Sequence, residues 1–245
     1  MSPGGERTLL REGRQTQMLT RRASLLIGLA PLLGLSACDG TAAKDAAPAA
    51  LPDPTLDEPR AAAREVQPAV FAGGCFWGVQ AVFQHVRGVV KATSGYAGGD
   101  AKDAHYETVS TGRTGHAESV KVAYDPARVS YGQLLKVFMS VAHDPTQLDH
   151  QGPDWGPQYR SAIFYANDEQ LRIAQAYMAQ LQAVHAFARP VVTRLAPLQG
   201  FYEAEAYHQD YLHKHPGEPY IVINDLPKLV QLKQHFPALY REARS

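Results

Sequence analysis

Phe71-Ala72-Gly73-Gly74-Cys75-Phe76-Trp77-Gly78 is the stretch on which the fold turns. Just before it, Pro68-Ala69-Val70-Phe71-Ala72 is short and apolar, the pattern of a buried strand. Just after it, Trp77 to His85 places Val79, Val82, Phe83 and Val86 near one face at helical spacing. Gly73 and Gly74 between them allow a tight turn and let another molecule approach the backbone. The stretch therefore reads as strand, turn, helix, with a thiol at the start of the helix.

Outward from this unit the chain alternates between strand and helix patterns. Val89 to Gly95 reads as a strand running into the loop Gly95-Tyr96-Ala97-Gly98-Gly99. Ala117 to Tyr124 alternates, with Val120 and Val122 inward and Ser119 and Lys121 outward. Ser130 caps a helix to Ser140 that turns Leu134, Leu135, Val137 and Phe138 inward. His143 to Gln158 is a polar loop, and Ser161 to Tyr165 is a strand. Asn167 or Asp168 opens a helix to about Ala186; Val191 to Leu195 is a strand, and Leu226 to Phe236 a last helix. This order is neither a clean βαβ repeat nor all-β. It predicts an α+β domain, a two-layer sandwich of a mixed sheet with helices packed on it.

The N-terminus has a different character. Five arginines lie in residues 1–22, and residues 23–37 are almost wholly apolar. That is a basic region and apolar core of signal-peptide type, short of the roughly 20 residues of a membrane span. The core ends in Leu35-Ser36-Ala37-Cys38, which resembles the lipobox of bacterial lipoproteins, whose cysteine carries the lipid. The expected organisation is a signal peptide over 1–37, a disordered Ala/Pro/Asp-rich tether over 38–67 from an acylated Cys38, and a catalytic domain over 68–245. The expected location is the periplasmic side of the bacterial envelope, held at a membrane by the lipid. Beyond residue 37 the chain has 19 basic and 22 acidic residues, a net charge of −3 that gives no reason to expect a nucleic-acid partner.

Cys38 and Cys75 are the two cysteines of the sequence. At a helix N-terminus the dipole and free N–H groups favour a thiolate at Cys75. Phe76 and Trp77 cannot both face the core, so an aromatic beside the sulfur can wall a small apolar pocket. On spacing alone, a buried structural cysteine with core aromatics fits equally well. The ten histidines form no metal-ligand spacing, so no metal and no cofactor is expected.

Gly74-Cys75-Phe76-Trp77-Gly78 is similar to the signature of the A-type peptide methionine sulfoxide reductases. Further segments resemble that family in family order: Ser94 to Gly99, Tyr106, Thr114 to Glu118, His143 to Thr146, Gln158 to Ile163, and Phe201 to Gln209. They span roughly residues 69–225. The resemblance implies a ferredoxin-like core and reduction of methionine S-sulfoxide, free or in proteins. It implies Cys75 as nucleophile, passing through a sulfenic acid, and Glu118 as acid. It implies Tyr106 and Tyr159 as hydrogen-bond donors to the sulfoxide oxygen, and Asp154 as an organiser of the site. Phe76, Trp77 and Tyr220 match the methyl pocket. Many members carry recycling cysteines in a C-terminal tail; here His215 to Lys228 has none. The one-cysteine form so implied needs an external thiol: a thioredoxin-like protein, a glutaredoxin or a small thiol. A thiol peroxidase and an inert lipoprotein are the rival readings; the first usually has Thr or Ser near the thiol, and the retained set of site residues speaks against the second.

Overall fold

A computed structural model describes residues 51–59 and 65–242. Cys38 and the apolar segment before it lie outside the described residues. Strand β1 (Gln67–Gly73) leads through Gly74 and Cys75 into helix α1 (Phe76–Gln84), as the opening stretch predicts. There follow β2 (Val89–Ala97), the short helix α2 (Tyr106–Val109), β3 (Ala117–Tyr124) and α3 (Tyr131–Val137). A two-residue hairpin, β4 (His150–Gln151) and β5 (Asp154–Trp155), folds part of the predicted polar loop. Then come β6 (Ser161–Tyr165), α4 (Asp168–Ala183), β7 (Arg194–Pro197), β8 (Phe201–Glu203), the short α5 (Tyr211–Lys214) and α6 (Leu226–His235).

The main sheet has the order β7-β6-β1-β3-β2-β8, with β6 and β7 parallel and the other neighbours antiparallel. Its centre, β6-β1-β3-β2, built from β1-α1-β2-β3-helix-β6, is the ferredoxin-like arrangement. Alternation divides the two faces. Ala69, Phe71, Val120, Val122 and Ile163 join α1, α3, α4 and α6 in the main core. Val70, Ala72, Ala117, Ala162 and Phe164 form a smaller apolar cluster on the other face. Phe71 stacks on Phe83 and Phe138 at ring distances of 5.1 and 4.9 Å, which joins strand to helices at the point where the chain turns toward Cys75.

Several expectations need correction. Ser119 is buried, because the second sheet face is covered rather than solvated. The helix begun at Ser130 is α-helical only to Val137; Phe138–Ala142 widens into a π turn and delivers His143. Helix α4 ends at Ala183, and the strand expected over 191–195 pairs from Arg194. Thr193 lies just before that strand, held by Ser161 at 2.7 Å.

Residues 51–59 do not behave as the disordered tether read from composition. Leu51 is buried, and the Tyr177 hydroxyl donates to the Pro52 carbonyl. The first three helical N–H groups of α3 have no intrahelical acceptor. Glu58 accepts from Tyr131, Asp57 from Gly132, and the Ser130 hydroxyl from Gln133. Two carboxylates thus sit at the positive end of α3. A few specific polar contacts order this segment, and bulky apolar content does not measure those.

Candidate active site

Cys75 is the N-cap of α1, placed where β1 leaves the sheet. Gly74 has φ +87, and a Cβ there would lie 2.5 Å from the Gln151 side chain. Gly78, one helical turn beyond Cys75, passes so close to Asp225 that a Cβ would fall 2.0 Å from a carboxylate oxygen. These two glycines let the hairpin loop and the C-terminal segment close on both sides of the thiol.

Glu118 comes to the same point from the sheet. It shares the core-facing side of β3 with Val120 and Val122, and so points beneath the start of α1. Its side chain is 3 % exposed and accepts the Phe76 N–H at 3.0 Å. Burial raises its pKa to about 8, with Asp154 adding to the rise and the Phe76 bond opposing it. At neutral pH it is a carboxylic acid able to give a proton.

Burial, then the charges of Glu118, Asp225 and Asp154, push the Cys75 thiol well above its ordinary range, and the Trp77 N–H opposes them only in part. The resting sulfur is therefore a thiol. This corrects the thiolate expected from the helix dipole: desolvation and carboxylates outweigh the helix end. Protonation of Glu118 removes one of those charges.

Tyr106 opens α2, its backbone N–H held by Glu205 at 2.9 Å. Tyr159 ends the turn Pro157–Tyr159. Burial and then Glu118 raise both phenols, so both are neutral donors. Neither hydroxyl has a hydrogen-bond partner among the described residues. Asp154, on β5, accepts a short hydrogen bond from the Tyr220 hydroxyl. The Tyr220 ring meets Trp77 edge-on at 5.9 Å. Phe76 is fully buried, whereas Trp77 is half-buried and stacks on Tyr211 at 3.7 Å. Of the aromatic pair, Trp77 is thus the one with an accessible face. Cys75, Glu118, Tyr106, Tyr159, Asp154, Phe76, Trp77 and Tyr220 converge on one site; Cys38 lies outside the described residues. Among the described residues no cluster of three or more His, Cys, Asp or Glu is placed to hold a metal.

Other residues at the site were given no role by the sequence reading. His208 is buried against Phe76 and Tyr106, at ring distances of 5.0 and 4.4 Å, and accepts the Trp77 indole N–H at 3.2 Å. Burial lowers its pKa, so it is neutral, and it fixes the tilt of Trp77. Glu205 joins the Tyr96 hydroxyl to the Tyr106 N–H. Gln209 bonds both backbone groups of Ser94 and so ties this segment to β2. Asp225 is fully buried and paired with Lys228 at 3.0 Å. The only signal for His208, Glu205 and Gln209 was their place in the segment Phe201 to Gln209; nothing local marked Asp225.

The family model described as peptide methionine sulfoxide reductase matches residues 67–239. Peptide methionine sulfoxide reductase MsrA 2 of Mesorhizobium japonicum is 61% identical over 187 residues, 76% of this chain and 95% of that protein. The MsrA 2 of Synechocystis is 50% identical over 188 residues, 76% of this chain and 88% of that protein. Among solved structures, reduced Mxr1 of Saccharomyces cerevisiae superposes with a TM-score of 0.58 at 32% identity, covering 63% of this chain and 88% of that one. Methionine sulfoxide reductase A of Corynebacterium diphtheriae gives 0.53 at 36%, covering 63% and 77%. With the family model matching residues 67–239 and a relative 61% identical over 76% of the chain, on a fold those structures share, the chain belongs to the peptide methionine sulfoxide reductase family.

Proposed function

We propose that this protein reduces methionine S-sulfoxide, free or in oxidised proteins, to methionine, and so repairs proteins. The observation that carries this is the buried Glu118, which accepts the first N–H of the helix that Cys75 caps and which burial holds toward its acid form, with the Tyr106 and Tyr159 hydroxyls beside it. Sulfoxide oxygen leaves only once protonated. Tyr106 and Tyr159 donate to that oxygen, and Trp77 and Tyr220 wall the methyl group. Cys75 Sγ attacks the sulfoxide sulfur as Glu118 protonates the oxygen. The thiol's proton passes to the Glu118 carboxylate, so no net proton is consumed. The S–O bond breaks, methionine departs, and Cys75 retains the oxygen as a sulfenic acid. One thiol then displaces water to form a mixed disulfide, and a second releases the free Cys75 thiol. In sum, one sulfoxide and two thiols give one thioether, one disulfide and one water. Cys75 is the single cysteine after residue 38, so the thiols come from an external reductant.

The test uses dithiothreitol and each sulfoxide epimer of methionine. Turnover of the S epimer alone, abolished in Cys75→Ser, is expected. Turnover of neither epimer, or equal turnover of both, refutes this reading. The lipobox-like Leu35 to Cys38 further supports an exported lipoprotein, acylated at Cys38 and facing the periplasm.

A further inference from the structure

Cys75 lines a cavity. It has a volume of about 280 Å³ and lies between the β4–β5 hairpin and the C-terminal segment; its lining includes Gln147, Gln151, Asp154, Tyr220, Lys228 and Gln231. Glu118, Tyr106, Tyr159, Phe76 and Trp77 do not line it. The cavity thus meets Cys75 from a side other than that of the acid and the oxygen-binding phenols.

We propose that this cavity admits the reductant, and that the reductant is a thiol of low mass. The inference rests on the reading of Cys75 as the residue that takes the sulfoxide oxygen. Displacement at sulfur needs the nucleophile opposite the leaving group. The oxygen left on Cys75 lies toward Glu118, Tyr106 and Tyr159, whose protons help it leave as water. The thiol must therefore arrive from elsewhere, and this cavity is such a route, sharing Tyr220 with the methyl pocket but none of the groups that hold the oxygen. The incoming thiolate forms an S–S bond to Cys75 as the S–O bond breaks. The thiol's proton and the proton on the oxygen leave with it as water, and a second thiol molecule completes the reduction. Two observations fix the class of reductant. The volume is at the small end of ligand pockets, about 300 Å³, and Cys75 is buried, out of reach of a cysteine set in the flat surface of a folded partner. Amide side chains, the Lys228 ammonium, His143 and the carboxylates of Asp144 and Asp154 line the cavity. Lys228 gives one N–H to Asp225 and keeps others for an incoming thiolate.

Gln231 is exposed on α6 at the mouth, so a bulky residue there fills the entrance without disturbing the core. Cys75 is first oxidised with one round of methionine S-sulfoxide, and methionine release is measured. Dithiothreitol, or a thioredoxin-fold protein dithiol, is then added, and surviving sulfenic acid is trapped with dimedone and weighed by mass spectrometry. In Gln231→Trp, decay by dithiothreitol should slow by about tenfold or more while methionine release is unchanged. Gln231→Ala should restore or exceed the parent rate. Unchanged decay by dithiothreitol overturns the proposal, as does equal slowing of methionine release. Slowing confined to the protein dithiol assigns the cavity to a protein partner and overturns the low-mass class. Absence of methionine in the first step would instead refute the reading of Cys75, a separate failure.

Discussion

Glu118 shows what one residue's register can set. The strand alternation that turns Val120 and Val122 inward turns Glu118 inward too, because residues two apart share a face. A carboxyl carried into the core beneath α1 finds one compensating N–H, from Phe76, and remains protonated to about pH 8. Two consequences follow, one for the rate and one for stability. In the parent, sulfoxide reduction under single-turnover conditions falls as pH rises through about 8, since the acid loses its proton. In Glu118→Gln the rate drops by about 10² or more and that pH dependence disappears. Parent stability falls with rising pH as well. The folded pKa lies above the ordinary value of 4.5, so ionisation penalises the folded state increasingly between 4.5 and about 8. Gln keeps an acceptor for Phe76 and cannot ionise. Its melting temperature should therefore gain on the parent as pH rises through that window. A constant difference across pH would show that Glu118 is not buried and neutral. The inward place of Glu118 was legible from alternation. The protonated state of Cys75 was not, because Asp154 and Asp225 reach it from segments remote in sequence.

At the scale of elements, strong local patterns were legible and short or shared ones were not. Ser130 and Gln133 form a capping box that the sequence spells out, so α3 was expected where it stands. Strand β8 has only three residues and exists because β2 offers it an edge. The π turns at Phe138–Ala142 and Ile221–Asp225 leave no periodic signature, yet they present His143 and Tyr220 beside the thiol. The contacts of residues 51–59 belong to this scale. Asp57 and Glu58 supply acceptors that α3 cannot supply for itself. Asp57→Ala should cost about 1–2 kcal/mol, or about 2–8 °C in melting temperature. Removing residues 1–50 should leave the melting point unchanged, whereas removing 1–64 should lower it by at least the Asp57→Ala amount. Calorimetry on these three chains decides it, and equal melting points would mean that the 51–59 segment adds nothing to the domain.

At the scale of the molecule, the described residues carry the whole site, and the N-terminal sequence is read as an address. Among the described residues, which begin at 51, lie the main core, the sheet and every residue assigned to the active site, and no helix there is long and apolar enough to cross a membrane. On the proposed lipoprotein reading, an acylated Cys38 carries membrane attachment. On that reading a thioether-linked diacylglycerol with further acylation would supply the two or more chains that stable anchoring needs. Cys38→Ala should move the protein from the membrane fraction to the soluble fraction and abolish incorporation of radiolabelled palmitate. Free methionine sulfoxide diffuses to the site wherever the domain sits, so its turnover by the purified Cys38→Ala protein should equal that of the detergent-extracted parent. Repair of an oxidised envelope protein in cells should fall, because the variant is no longer held beside its substrate and loses the gain in effective concentration that tethering provides. Palmitate labelling that survives Cys38→Ala would place the lipid elsewhere. A loss of turnover on free methionine sulfoxide would show that the residue acts on the folded domain itself, and would break the separation between anchor and catalyst on which this assignment rests.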